Sequence, residues 1–216
     1  MKKRQLFAAV TALVLLFTGC NSNGTTTSSD TSAASSTKEA STSTAVSMAS
    51  GEDADELRQF VDSAGREVDV PQKITKIAPS GSLAQLVLYT SSPDLLVGLA
   101  HTVSDTAKPY IGEKYQDLPE FGQFYGKNAS LNMEALSAAK PDVIIDVGEA
   151  KKTIKEDMDK LQEQLQIPVV FIEANLENLS ETYQRLGELL GDKKGMQELS
   201  DYCEKVLAQA EKVRGE

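Results

Sequence analysis

Hydrophobic positions along the chain fall into three regimes. Residues 6–18 form an uncharged, mostly apolar run, residues 21–50 hold few large apolar side chains, and from Leu57 onward apolar positions recur at strand and helix spacings to the end of the chain. In the last regime, "RQFVDSAGREVDVPQKI" reads as two short strands around a Ser63-Ala64-Gly65 turn, closed by Pro71. A strand over 74–78 follows, then a helix over 82–90 behind Pro79-Ser80-Gly81. Residues 95–100 (LLVGLA) read as a second strand of this series, 131–139 as a helix capped by Asn128 or Ser130, and 143–147 (VIIDV) as a third strand. Residues 152–166 carry Ile154, Met158, Leu161 and Leu165 at helical spacing. A fourth strand is predicted over 168–172, and Asn178 opens a helix that runs to Leu190 and stops at Gly191.

Short strands alternating with amphipathic helices imply βαβ units, which bury a mostly parallel sheet between helices. The fold class expected is therefore α/β. The segment 193–216 departs from the alternation. Met196, Leu199, Tyr202 or Cys203, Val206, Leu207, Ala210 and Val213 make one apolar stripe over about five turns, with no strand after it. Such a helix must pack back on its own domain or await a partner, and a docked terminal helix is the simpler expectation.

The opening run changes the picture of where the chain works. It follows Lys2, Lys3 and Arg4, and its thirteen residues fall short of the roughly 20 that span a bilayer. A basic start, a short apolar stretch and small residues before a cut describe a secretory signal. Ending in Thr18-Gly19-Cys20, it resembles a bacterial lipoprotein signal, which implies that Cys20 becomes the lipidated first residue of the mature chain. Of the 30 residues 21–50, 17 are Ser or Thr, too polar a composition to offset the entropy of ordering. A flexible tether over 20–56 would have a root-mean-square reach of about 30–35 Å.

Charge and cysteine content exclude several function classes. The net charge is -10, and removal of residues 1–19 with their three cations leaves -10 - 3 = -13. An acidic chain without a basic stripe does not suit nucleic acid. Cys203 is the only cysteine besides Cys20, so no disulfide forms within the mature domain, and its place in a helical pattern suits a small packed hydrophobe. No nucleophile–base pair, phosphate-binding glycine loop or zinc spacing appears, so neither an enzyme nor a resident cofactor is expected. The 160 residues from Leu57 on suffice for one domain with its own core.

"VDSAGREVDVPQKITKIAPSGSLAQLVLY", "DLLVGLA", "LNMEALSAAKPDVIIDVG" and "RLGELLGDKKGMQELSDYCEKVLAQA" occur in this order. Together they resemble the class III solute-binding lipoproteins of ABC importers, which take iron–siderophore, haem or cobalamin ligands. The most specific pieces are Asn132-Met133-Glu134 leading to Lys140-Pro141-Asp142, and Asp62-x-x-Gly65-Arg66. The resemblance implies an N-terminal α/β lobe over 57–192 and, over 193–216, the start of the long helix that joins two lobes. The second lobe is missing, so the chain is expected to be a fragment or a lone lobe. A lipid-anchored, extracytoplasmic protein that delivers a metal chelate to an ABC permease is the function implied. A flavodoxin-like redox module and a ligand-free surface lipoprotein are the alternatives.

Ligands of open parallel sheets collect beyond the carboxyl ends of the strands. That rule points first to Ser80, Gly81 and Ser82, where a serine caps the helix or its backbone N–H groups meet an anionic chelate. It points next to His101 and Thr102, the imidazole being either a metal or chelate contact or simply solvated, with Tyr110 and Tyr115 downstream. In "FGQFYGKN", Tyr125, Gly126 and Lys127 offer an aromatic wall and a cation, or else a turn whose aromatics cap the core. The loop after VIIDV adds Gly148 and Glu149. The resemblance assigns Glu134 a separate task, docking against arginines of the permease, while a first-turn glutamate favoured by the helix dipole is the plainer reading.

Overall fold

The computed structural model describes residues 56–215. Strands β1 (Leu57–Val61) and β2 (Glu67–Pro71) pair antiparallel, Phe60 opposite Val68. The turn between them is built by Asp62, whose Oδ1 accepts the Ala64 and Arg66 backbone N–H groups at 2.9 Å, and by Gly65 at φ 71°. Positive φ at that corner is where glycine is favoured over a side chain. The Arg66 guanidinium then reaches back to Asp62 (2.9 Å), to the Val169 carbonyl (2.8 Å), to Gln162 Oε1 (3.2 Å) and to Asp159 (2.7 Å). The motif Asp62-x-x-Gly65-Arg66 thus locks the hairpin onto the domain.

Strands β3 (Ile77–Pro79), β4 (Val143–Gly148) and β5 (Val169–Glu173) form a parallel sheet in the order β3-β4-β5. Helices α1 (Ser82–Ser91), α2 (Glu113–Gln116) and α3 (Met133–Ala139) lie in the first crossover, and α4 (Ile154–Leu165) in the second. Helices α5 (Leu179–Leu190) and α6 (Lys193–Arg214) follow β5. Alternation along the strands splits the core in two. Val143, Ile145, Val147, Val170 and Ile172 face α1, α5, the start of α6 and the hairpin, while Ile144, Val169 and Phe171 face α4, α3 and the 121–131 loop. Ile154, Met158, Leu161 and Leu165 are all buried, as the helical spacing predicts.

Four expectations need correction. The strand over 74–78 begins only at Ile77, because the Thr75 and Lys76 backbone N–H groups are taken by the Asp142 carboxylate (2.7 and 2.9 Å). Residues 95–100 are not a strand. A 3-10 turn (Pro93–Leu95) leads into single bridges from Leu96 to Ile77 and from Leu99 to Glu120, two partners that build no common ladder. Helix α3 starts at Met133 with Asn132 as its cap, accepting from Ala135 N–H at 3.1 Å, and neither Asn128 nor Ser130 serves. Residues 130 and 132 instead give their N–H groups to the carbonyls of Gln123 and Phe121, which holds them out of the helix. Asn178 stands at the α5 cap position, but its side chain accepts from Asn175 N–H (2.7 Å).

Helix α6 is docked over its first half only. Asp192 caps it, accepting from Gly195 N–H (3.0 Å), and Met196 is fully buried where Gly187 of α5 lets the helices approach. Leu199 and Cys203 pack on the core, and burial pushes the Cys203 thiol up, as suits a packed thiol. Tyr202, Val206 and Val213 are exposed. Among the described residues no helix is long and apolar enough to cross a membrane. Residues 1–55, with Cys20 and the serine-rich run, lie outside the described residues.

Candidate functional site

The turn after β3 and the 121–128 loop of the first crossover meet at Asp146 of β4. Pro79 ends β3, and Ser80 follows with its N–H on the Ile145 carbonyl (3.1 Å) and its carbonyl accepting the Phe124 N–H (2.9 Å). Its hydroxyl donates to Asp146 Oδ1, and the Tyr125 hydroxyl donates to Asp146 Oδ2 at 2.7 Å. Ser80 and Asp146 are buried, and Tyr125 is half-buried. Serine at position 80 therefore serves the carboxylate and not the helix. Gly81 occupies the α1 cap position without a side-chain cap bond, and neither Ser80 nor Ser82 caps. A Cβ at Gly81 would lie 2.6 Å from the Gln123 amide, so the 121–128 loop closes directly on this turn.

Burial drives the Asp146 carboxyl above its ordinary range. The Ser80 and Tyr125 hydroxyls and the Lys151 charge pull it back. Burial, with the Asp146 charge next, drives the Tyr125 phenol upward, so it stays a protonated phenol under physiological conditions. In this state Tyr125 offers a hydrogen-bonding hydroxyl.

The same loop corrects the aromatic-wall reading. Phe121 and Phe124 are buried in the core on the α4 side of the sheet, leaving only Tyr125 of the three aromatics near the surface, with Gly126 and Lys127 exposed beyond it. Phe121 sits against Gly98, where a Cβ would come within 2.1 Å of the ring. His101 and Thr102 are exposed, and among the described residues no hydrogen bond joins them to Ser80 or Tyr125. The Gln85 amide of α1 holds the backbone of His101 from both sides, accepting from its N–H (2.9 Å) and donating to its carbonyl (3.2 Å). Tyr110 is 85% exposed and Tyr115 stacks edge-on against Tyr89 at 5.4 Å. Ser82 and Gln85 border a groove of about 270 Å³ with Tyr89 and Tyr115.

Gly148 ends β4, its carbonyl accepting the Ala174 N–H at 2.8 Å, and Glu149 is exposed. Glu149 stands at an apolar groove of about 580 Å³ lined by Leu83, Leu86, Val87, Leu176 and Tyr183. Glu134 is exposed in the first turn of α3 and, among the described residues, joins no ion pair. Among the described residues no cluster of three or more His, Cys, Asp or Glu side chains is placed to hold a metal ion. The residue that sequence reasoning missed is Asp146. Its signal was a lone carboxylate inside VIIDV, since a charge in a fully buried strand needs partners.

Comparison with known proteins accords with this geometry. No curated protein matches the chain. Among solved structures, an ABC transporter solute binding protein from Sulfurospirillum deleyianum is 24% identical with a TM-score of 0.58, over 67% of this chain and 45% of its own. A periplasmic solute binding protein from Veillonella parvula gives 22% and 0.52, over 73% of this chain and 48% of its own. A molybdate periplasmic binding protein from Haemophilus influenzae gives 19% and 0.52, over 66% and 49%. These likenesses are of fold, and the chain spans about half the length of each. Residues 86–214 match the sequence model of the family described as periplasmic binding protein, and the chain belongs to that family.

Proposed function

We propose that this chain is the N-terminal ligand-capturing lobe of a lipid-anchored substrate-binding protein of an ABC importer, and that its ligand is an iron–siderophore or related metal chelate. The observation that carries the reading is the joining of the Ser80 turn and the Tyr125 loop, through Asp146, at the carboxyl end of the parallel sheet. Ser80, Gly81, Ser82, Tyr125, Gly126 and Lys127 would form one wall of the cleft, with Gly148 and Glu149 beside it and His101 and Thr102 at its edge. Recognition there is by hydrogen bonds and apolar contact, and Lys127 supplies a cation for an acidic chelate. The signal peptide 1–19, lipid-bearing Cys20 and tether 20–56 would hold the lobe on the extracytoplasmic face of the membrane. Glu134 would meet the permease, where charge pairs set orientation and on-rate.

The test is titration calorimetry of the chain with haemin, ferric citrate, a ferric trishydroxamate and molybdate. Binding of one iron complex, abolished when the iron is removed, is the expected result. Heat from molybdate alone would replace the chelate by an oxyanion, as in the name of the Haemophilus influenzae protein, and no binding by any probe would refute capture by this lobe. For the anchor, Cys20→Ser should move the protein from the membrane fraction to the soluble one, and continued membrane association would refute lipidation at that residue.

A further inference from the structure

Asp146 is a carboxylate in the middle of a sheet whose neighbouring positions, Ile144, Ile145 and Val147, are all buried and apolar. The pairing of β4 with its neighbours uses backbone groups, so the ladder itself does not call for a charge at position 146. Burying a charge is unfavourable unless it is hydrogen-bonded. Here both oxygens are engaged by hydroxyls from two different loops, Ser80 on Oδ1 and Tyr125 on Oδ2. An ionised carboxylate only accepts, so both hydroxyl protons are committed to it.

The consequence reaches the exposed side of Tyr125. A phenol has one proton, and with that proton given to Asp146 the oxygen can only accept from anything that approaches it. We propose that Asp146 is a positioning residue of the ligand face. It pins the 121–132 loop to the Ser80 turn and orients the Tyr125 hydroxyl so that the ligand group laid against it is a hydrogen-bond donor, such as a hydroxyl, an amide N–H or a metal-bound water. A bare carboxylate or oxo oxygen is disfavoured at that spot, both for want of a donor and because Asp146 lies behind it. This rests on the proposal that the face binds a ligand, but the arrangement itself can be measured without one.

Resonance Raman spectroscopy of tyrosine distinguishes a phenol that donates strongly from one that is free or accepts. The difference spectrum between the wild-type chain and Tyr125→Phe isolates Tyr125, and it should carry the signature of a strong donor. In Asp146→Asn, whose amide can turn its N–H toward the phenol, the same difference should lose that signature while the thermal transition remains cooperative. Hydrogen exchange in residues 121–132 should rise about tenfold in Asp146→Asn and in Tyr125→Phe, the effect of losing a hydrogen bond to a charged group. Exchange in β5 should not move.

If Asp146→Asn does not fold, Tyr125→Phe and Ser80→Ala carry the exchange test by themselves. A free or accepting Tyr125 signature in the wild type would overturn the proposal. So would unchanged exchange in 121–132 on removing the Tyr125 hydroxyl. Failure of every probe to bind, molybdate included, would refute the capture reading and leave these two results to decide the role of Asp146 independently.

Discussion

Replacing Arg66 by methionine should be among the most damaging single changes to this domain. The Asp62 and Arg66 side chains are 0% and 3% exposed, so their ion pair is fully withdrawn from water. Removing one partner of a buried pair costs about 3–5 kcal/mol, because the other charge is left behind. Asp62 keeps three backbone donors, from Ala64, Arg66 and Phe171, which places the expected loss near the lower end, about 3 kcal/mol. The Val169 carbonyl and Gln162 also lose a donor.

Asp159 is the internal control. It meets the same guanidinium at 2.7 Å, but its side chain is 56% exposed, and pairs of that kind contribute no more than about 1 kcal/mol. For a domain of this size, Arg66→Met should lower the thermal midpoint by about 6–12 °C and Asp159→Ala by less than about 4 °C. Urea unfolding followed by circular dichroism gives the free energies directly. Equal losses from the two variants, or a loss below about 1 kcal/mol for Arg66→Met, would refute the claim that burial and not mere contact makes this pair matter.

Gly98→Ala would press a methyl into the Phe121 ring at 2.1 Å, so it should destabilise by about 1–3 kcal/mol and raise hydrogen exchange in the 121–132 loop; a neutral effect in both would refute the packing. Met196→Ala should destabilise by about 2–5 kcal/mol, whereas Val213→Ala, 74% exposed on the same helix, should stay within about 0.5 kcal/mol, and equal effects in thermal unfolding would contradict the half-docked helix. Burial raises the Asp146 carboxyl, so the native chain holds its proton longer than the unfolded chain does. Its contribution to stability is full below the ordinary carboxylate value of 3.8 and is lost as the pH rises through the native value. The stability of the wild type relative to Asp146→Asn should therefore decline as the pH rises above the ordinary value of 3.8. A difference that is flat or grows would contradict the sign.

Local regularities that follow from short-range physics were legible in the sequence. The period of Ile154, Met158, Leu161 and Leu165, the Asp62-Gly65 turn, the Gly191 stop at φ 78° and the apolar strands 143–147 and 168–172 each depend on neighbours within a turn or a strand. With them came the α/β class, because alternating short strands and amphipathic helices leave few other ways to bury both faces of a sheet.

What tertiary structure decided were the places where a distant group competes for a backbone or side-chain bond. Asp142 takes the N–H groups that would have started β3 earlier, and Phe121 and Gln123 take those that would have started α3 earlier. Ser80, suited by type to cap α1, spends its hydroxyl on Asp146 from 66 residues away, and Tyr125 joins it there. The pattern of a sequence records which faces are apolar, but not which polar group wins when two lie within reach. That contest is settled by distance and burial in the folded chain, and here it assembled the candidate site around a carboxylate that the strand pattern had hidden.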